Sequence, residues 1–225
     1  MSVNISPHCA DCGIPRDQRI CRDPDGIGPD DCPTINGEDV VAEAMREYED
    51  PATLRFAQES SRQEAACYVA AGDELRTVKC RIEEVCEFAH RMGFRRLGIA
   101  FCSGLIYEAA ILEKIFEAHG FEVASVICKA GRVPKEEIGL KDEEKIRPGC
   151  YEAMCNPISQ AKFLNAAETE MNIMIGLCVG HDALFLKHAK GYNTVLAVKD
   201  RLMGHNPLAA LYTSGSYYKR LLNPE

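Results

Sequence analysis

From residue 95 onward the chain alternates short apolar runs with amphipathic stretches, and that rhythm limits the possible folds more than any other feature. Leu97-Gly98-Ile99-Ala100-Phe101-Cys102 reads as a buried strand, and Ser103-Gly104 turns into a helix that ends at His119-Gly120. Glu122 to Cys128 is a second strand. A helix from Pro157 to about Thr169 leads into a third, Asn172 to Cys178, and a short helix over Asp182 to Ala189 precedes a fourth, Thr194 to Val198. A last helix is expected from Pro207 towards Leu222. Strands separated by helices cannot pair as tight hairpins. They predict an α/β fold: a four-stranded parallel, Rossmann-like sheet with right-handed crossovers and helices on both faces.

Ahead of that domain lie Cys9, Cys12, Cys21 and Cys32, spaced C-x2-C-x8-C-x10-C in a stretch rich in Pro, Gly and Asp. Such a stretch has too few large apolar side chains to fold by burial, so a metal is the natural tie. Zinc closes a tetrahedral site on four thiolates and folds the segment around it. Cys32-Pro33 also echoes the Cys-Pro of ferredoxin-type ligands, which makes an iron–sulfur cluster the competitor; zinc leads on the knuckle-like Cys9-x-x-Cys12.

Three helices are expected next: Glu38 to Tyr48, one opened by Asp50-Pro51 and running to about Ala70, and one from near Asp73. The third puts Leu75, Val78, Ile82, Val85, Ala89 and Met92 on one face and closes at Gly93. Cys67 and Cys86 are expected to pack as small hydrophobes, whereas Cys80 falls off the stripe. The expected organisation is a four-cysteine metal-binding knuckle over 1–35, a helical segment over 36–93 packing on the main domain, and a Rossmann-like domain over 94–225.

Composition narrows the function. A net charge of -8 argues against a nucleic-acid partner, since phosphate backbones are bound by clustered Lys and Arg. No run of eighteen apolar residues exists to span a membrane, and no charged-then-apolar leader opens the chain, so a cytoplasmic location is expected. In a reducing compartment the 12 cysteines stay as thiols or thiolates, which turns attention to metals and catalysis. The sequence lacks G-x-G-x-x-G, a Walker lysine loop, H-E-x-x-H and G-x-S-x-G, so dinucleotide, NTP, zinc-protease and serine-hydrolase templates all fail.

Ligands of open parallel sheets bind beyond the carboxyl ends of the strands. Three expected strands end in cysteine, at Cys102, Cys128 and Cys178, and the fourth runs into Lys199-Asp200-Arg201. Cys155 directly precedes Asn156-Pro157, a cap and first-turn proline, where the helix dipole favours a thiolate. Burial of small apolar side chains explains any one of these cysteines. It explains the set poorly, so they form a second candidate site, an iron–sulfur cluster expected to be of the 4Fe-4S type. Cys102, Cys155 and Cys178 are its core ligands, and Cys128 is a fourth ligand or a reactive thiol.

Gly180-His181-Asp182 and Gly204-His205-Asn206 follow the third and fourth strands, with Asp182 and Asn206 expected as helix caps. They place His181 and His205 at the same edge, positions suited to ligating metal or transferring protons, and both are expected to serve as proton donors or polar anchors. Lys129, Lys199 and Arg201 are candidates to hold an anionic substrate, and Cys128, His181, His205, Lys199 and Asp200 are the candidate catalytic groups. The charged loop from Lys129 to Met154 reads as a solvated surface excursion rather than a lid.

The head with Cys32-Pro33-Thr34, Arg147-Pro148-Gly149, CNPISQA from Cys155, GLCVGHD from Gly176 and KDRLMGHNPLAALY from Lys199 together resemble an uncharacterised family of predicted metal-binding proteins of archaea and anaerobic bacteria. The resemblance covers nearly the whole chain. It implies metal binding and names no substrate or reaction. The function expected is redox or sulfur-transfer chemistry on a small molecule at the sheet edge. The alternative is a non-catalytic metal carrier, sensor or assembly protein with structural zinc only. A partner protein or a homo-oligomer is compatible with either.

Overall fold

The computed structural model describes residues 6–224, and the chain divides into two compact units, Met1–Arg62 and Gln63–Glu225. In the first, 3-10 turns at Cys9–Asp11 and Arg16–Gln18 lead to α1 (Pro33–Asn36), α2 (Glu38–Glu47) and most of α3 (Pro51–Ala65). The turn region is tied by Ile20 N donating to Ile27 O at 3.0 Å and Ile27 N to Gln18 O at 2.8 Å. The Asp50 carboxylate opens α3 as expected, accepting from Thr53 N at 2.8 Å. Among the described residues no apolar side chain before Cys67 is buried. Over its described residues this unit has no hydrophobic core of its own.

The second unit begins with a hairpin, β1 (Tyr68–Ala71) and β2 (Glu74–Thr77). The expected helix from Asp73 does not form, and α3 stops before Ala70. Two local signals win over the helical period. The aromatic and β-branched Tyr68 and Val69 favour extended backbone, and Gly72 takes a φ of 67° in the two-residue turn between Ala71 and Glu74. Leu75 and Val78 are accordingly exposed rather than part of a buried stripe. The helix α4 (Arg81–Met92) starts later, and the unassigned Cys80 is its N-cap, with the Glu83 carboxylate accepting from Cys80 N at 2.7 Å. Cys67 and Cys86 are buried, as expected, and burial pushes the Cys86 thiol pKa up to about 11.

There follow β3 (Arg96–Phe101), α5 (Ile106–Ala118), β4 (Glu122–Ile127), α6 (Pro157–Ala166), β5 (Met171–Leu177), α7 (His181–His188), β6 (Tyr192–Val198) and α8 (Leu208–Tyr212). The four long strands form one parallel sheet in the order β4-β3-β5-β6. The chain steps one way from β3 to β4, then crosses back over β3 to β5 and β6. Right-handed crossovers put α5 on one face and α6 and α7 on the other. Helix α5 packs on β3 and β4, α6 on both of these and on α7, and α7 on β5. On the α6–α7 face Ala100, Met174, Leu177, Ala161, Leu164 and Phe185 make one core. Leu97, Ile99, Ile173 and Ile175 alternate to the opposite face, where Phe116 is fully buried.

The expected terminal helix is cut to Leu208–Tyr212. Thr213 Oγ1 donates to Ala209 O at 2.7 Å and Ser214 Oγ to Leu211 O at 2.8 Å. Hydroxyls competing for backbone carbonyls, with Gly215 behind them, end the helix there. Neither expected cap residue caps: Gly180 is the N-cap of α7, and Pro207 is that of α8. Asp182 instead lies in the first turn of α7, where its charge still favours the helix dipole. Among the described residues no helix is long and apolar enough to cross a membrane.

Candidate functional site

The connection out of β3 leads to β4 on one side and that out of β5 to β6 on the other, so the crevice beyond the carboxyl ends of these two parallel neighbours is the switch point where open α/β sheets bind ligands. Register fixes what arrives there. Phe101 pairs with Ile127 and with Ile175, so Cys102 and Cys128 are side by side one residue past the pairing. Cys128 N still donates to Phe101 O at 2.9 Å and Cys102 N to Ile175 O at 3.1 Å. On β5 the strand runs two residues further before Cys178, with register shifts on either side of Ile175. Gly176, φ 65°, carries that irregularity, and a Cβ there would lie 2.2 Å from Leu105 Cδ1. Cys178 therefore follows the β3-paired residue of its strand by three positions, where Cys102 follows by one.

Cys155 comes from the loop, which is mostly exposed, as its charges imply, yet is braced from within. The Lys145 ammonium is buried and donates to Glu136 Oε1 at 2.8 Å, to Asp142 Oδ1 at 2.6 Å and to Cys150 O at 2.6 Å. Glu152 pairs with Lys135 at 2.5 Å and accepts from Ile146 N at 3.0 Å. Met154 N donates to Val133 O at 2.8 Å, closing the loop base, and Asn156 N donates to Cys128 O at 2.8 Å. Asn156 caps α6, as expected, by accepting from Ser159 N at 2.9 Å. Charge spent on internal pairs thus delivers Cys155 to Cys128.

Cys128 is the hub. Its sulfur accepts from Ser103 N at 3.3 Å, and Cys102 and Cys155 pack against the core that contains it. Those two neighbours, and then burial, push its thiol pKa far above the ordinary range. The others move the opposite way. The neighbouring Cys128 pulls Cys102 down to about 4 against the cost of burial, helped by Gly104 N–H and Lys199. The same partner pulls Cys155 down to about 5, again against burial and with help from Lys129 and His181. One proton held at Cys128 thus stabilises two flanking thiolates.

Cys178 joins through Arg201, whose Nη2 donates to its sulfur at 3.1 Å. Cys178, and also Cys102 and Cys155, hold the guanidinium pKa above its usual range. Lys129 Nζ donates to Ala153 O at 2.5 Å. The Lys199 ammonium lies over Gly104, 3.6 Å from where a Cβ would be. Asp200 Oδ1 accepts from Leu202 N at 3.0 Å and Met203 N at 2.8 Å. His205, at a left-handed φ of 66°, brings Nδ1 to 3.2 Å from Asp200 N. Asp200 and His205 are thus engaged in building the turn that presents Arg201. His181 N donates to Cys178 O at 2.9 Å, and its Nδ1 is buried without a partner.

Gln160 was not singled out in the sequence. Fully buried, its Nε2 donates to Phe101 O at 3.1 Å and Val126 O at 2.7 Å, bracing β3 and β4 just below Cys102 and Cys128. The available signal was periodicity: Gln160 stands four residues before Leu164, on the buried stripe of α6.

In the first unit Cys9, Cys12, Cys21 and Cys32 line one cavity with His8 and Arg19. Arg19 is spent on the backbone, donating to Ile14 O at 2.8 Å and Cys12 O at 3.3 Å. Burial works to raise the Cys32 thiol pKa, but hydrogen bonds from Thr34 and Ile35 outweigh it and the value is lowered. Four thiols around one cavity fit a soft or borderline ion in their donor chemistry. Among the described residues no three His, Cys, Asp or Glu side chains stand ready as a metal cage. Ligation at either place thus requires side-chain rotation.

A doubly wound α/β unit with a thiol-lined switch point is what the geometry defines. A family described as a protein of unknown function, DUF1847, matches residues 32–196. An uncharacterized protein of Methanocaldococcus jannaschii is 43% identical over 185 residues, 82% of this chain and 89% of its own length. The chain belongs to that family. The matched span holds Cys102, Cys128, Cys155, Cys178 and Cys32, while Cys9, Cys12 and Cys21 precede it.

Proposed function

We propose that this chain is a metal-binding protein whose strand-end cysteines hold an iron–sulfur cluster that supports redox or sulfur-transfer chemistry on a small molecule. The observation that carries the reading is the convergence of Cys102, Cys128 and Cys155 at the switch point, with the Arg201 guanidinium on the Cys178 sulfur. Cys102, Cys155 and Cys178 would be the core ligands, and Cys128 a fourth ligand or free thiol. Such a cluster supplies one-electron transfer or labile sulfide. The chain's own groups have separate work: Lys199, Lys129 and Arg201 balance thiolate charge and attract an anionic substrate. In the head, Cys9, Cys12, Cys21 and Cys32 would close on zinc, or on a second cluster, and hold structure.

A second reading keeps only the head metal and makes the protein a carrier, sensor or assembly component. It draws on the lack of buried apolar side chains among the described residues of the first unit. Metal and acid-labile sulfide analysis of anaerobically purified protein separates the two. A brown protein with sulfide that Cys155→Ser abolishes is expected. A colourless protein with one zinc, unchanged by Cys155→Ser, overturns the cluster and leaves the second reading.

A further inference from the structure

A two-stranded hairpin standing alone is marginally stable in water; further strands or a packed face make it secure. The hairpin β1–β2 is short of both. Every residue of β2 is exposed, and in β1 only Ala71 is partly covered. Leu75 keeps 72% of its surface, and Tyr68, Val69 and Val78 are exposed as well. The two strands form a sheet of their own, so among the described residues the outer edge of each pairs with no other strand. Such an edge is a template for a further strand.

Register tells which groups the edge offers. Val78 N donates to Cys67 O at 2.9 Å, one step beyond the pairing of Tyr68 with Thr77. Hydrogen-bonded and non-hydrogen-bonded pairs alternate along an antiparallel ladder. Arg76 and Glu74 therefore bond inward, to their partners Val69 and Ala71, while Leu75 and Thr77 turn N–H and C=O outward. Side chains alternate too: Glu74 and Arg76 share one face, Leu75 and Thr77 the other. Neither Glu74 nor Arg76 has an ion-pair partner among the described residues.

A strand that meets its own copy across a two-fold axis runs antiparallel to it, and every contact is made twice. With the axis at Leu75, that residue faces Leu75 of the second copy as a hydrogen-bonded pair, through the outward groups just described. Glu74 then faces Arg76 of the second copy, and Arg76 faces its Glu74, at non-hydrogen-bonded positions where Cα atoms approach to about 4.5 Å. An axis at Arg76 sets like charges face to face, and one at Thr77 leaves Arg76 against Val78 and Glu74 against Cys80. Strand β1, Tyr-Val-Ala-Ala, carries no charge to select a register. We infer that β2 is a homodimerisation edge: two copies of this chain join β2 to β2, centred on Leu75, into one continuous sheet β1-β2-β2-β1. The two Glu74–Arg76 pairs select the register on one face. On the other, the two Leu75 side chains cover each other, flanked by Ala70 of each copy, which pairs with Leu75 inside the hairpin.

The test is sedimentation velocity of the full chain under reducing conditions, over a range of protein concentrations. A monomer–dimer equilibrium is expected for the wild type. Arg76→Glu sets a carboxylate against Glu74 twice over and should weaken dimerisation about tenfold or more. Combining Glu74→Arg with Arg76→Glu rebuilds both pairs across the same axis and should recover the wild-type constant. Leu75→Pro removes an outward N–H while sparing the bonds between β1 and β2, and should leave a monomer with an unchanged circular dichroism spectrum. A wild type that stays monomeric at every concentration overturns the inference, as does a dimer indifferent to Arg76→Glu and Leu75→Pro alike. A loss in Arg76→Glu that the charge exchange fails to restore overturns the axis at Leu75. Should Leu75→Pro disturb the fold, the charge exchange decides alone.

Discussion

Cys128 lies between two sulfurs and takes the opposite electrostatic fate to both. In the metal-free chain Cys102, at about 4, and Cys155, at about 5, are thiolates at pH 6, while burial holds the Cys86 pKa at about 11. Thiolates, not thiols, attack alkylating agents. Iodoacetamide at pH 6 should therefore label Cys102 and Cys155 first and leave Cys86 and Cys128 unlabelled in the native state, as read by peptide mass mapping. Labelling of the pair should stop only as pH falls through about 5 and then 4. Equal labelling of Cys86 at pH 6 would contradict the assignment. Cys102 was legible in the sequence because its strand end is marked by the switch from an apolar run to Ser103-Gly104, and Cys155 because the Asn156-Pro157 after it reads as a helix cap and first-turn proline. Gln160 was not, because a lone amide on an apolar helix face reads as an irregularity until its partners are known. Cys80 was hidden by a similar ambiguity, between helix interior and cap.

Elements carry their own tests. Gly98 in β3 faces Asn172, and an added Cβ would stand 2.1 Å from Asn172 Oδ1 and 3.1 Å from Leu164 Cδ1. That amide cannot step aside: Thr169 Oγ1 holds its oxygen at 2.7 Å and Asn193 Oδ1 its nitrogen at 3.1 Å. Gly98→Ala should cost about 1–3 kcal/mol in urea unfolding; a neutral result would mean that the network is soft. The 129–154 loop is the second case. Lys145 holds the carboxyl pKa values of Glu136 and Asp142 below their ordinary values, and Gly149 N–H helps at Asp142. Groups lowered on folding stabilise above their unfolded pKa, about 4, and lose that contribution as pH falls through the folded values. Wild-type melting temperature should therefore fall along an acid limb below about pH 4. In Lys145→Met the melting temperature should start lower at pH 7 and the limb should be shallower. Sequence showed the loop's charge but not its pairing, since which carboxylate meets which ammonium is a matter of backbone path.

At the scale of the whole chain, the two units rest on different physics. The second has a sheet with fully buried Ile99, Leu97, Ile173 and Phe116; the first, over its described residues, has thiols around a cavity and no buried apolar side chain. A strong zinc chelator should make residues before about 62 sensitive to limited proteolysis while fragments of the sheet unit persist, as read by intact mass. Protection of both units under chelation would mean that the head is held by something other than metal. The parallel four-stranded sheet was readable because its period is long and repeated. The β1–β2 hairpin was not, because four-residue strands fit a helical stripe as easily as an extended one.

The register of β3 against β4 has one more consequence. Two cysteines one step past a shared pairing have Cα atoms about 4.8 Å apart, the spacing of the sheet itself. That lies within the span of roughly 4.4–6.8 Å that a disulfide accepts. The Cα spacing of Cys102 and Cys128 thus meets that requirement of a disulfide, whose closure would give up two hydrogens to an oxidant such as dioxygen. The arrangement that gathers the thiols is also its own fuse: an oxidising setting seals the centre of the edge and leaves Cys155 and Cys178 without their neighbours.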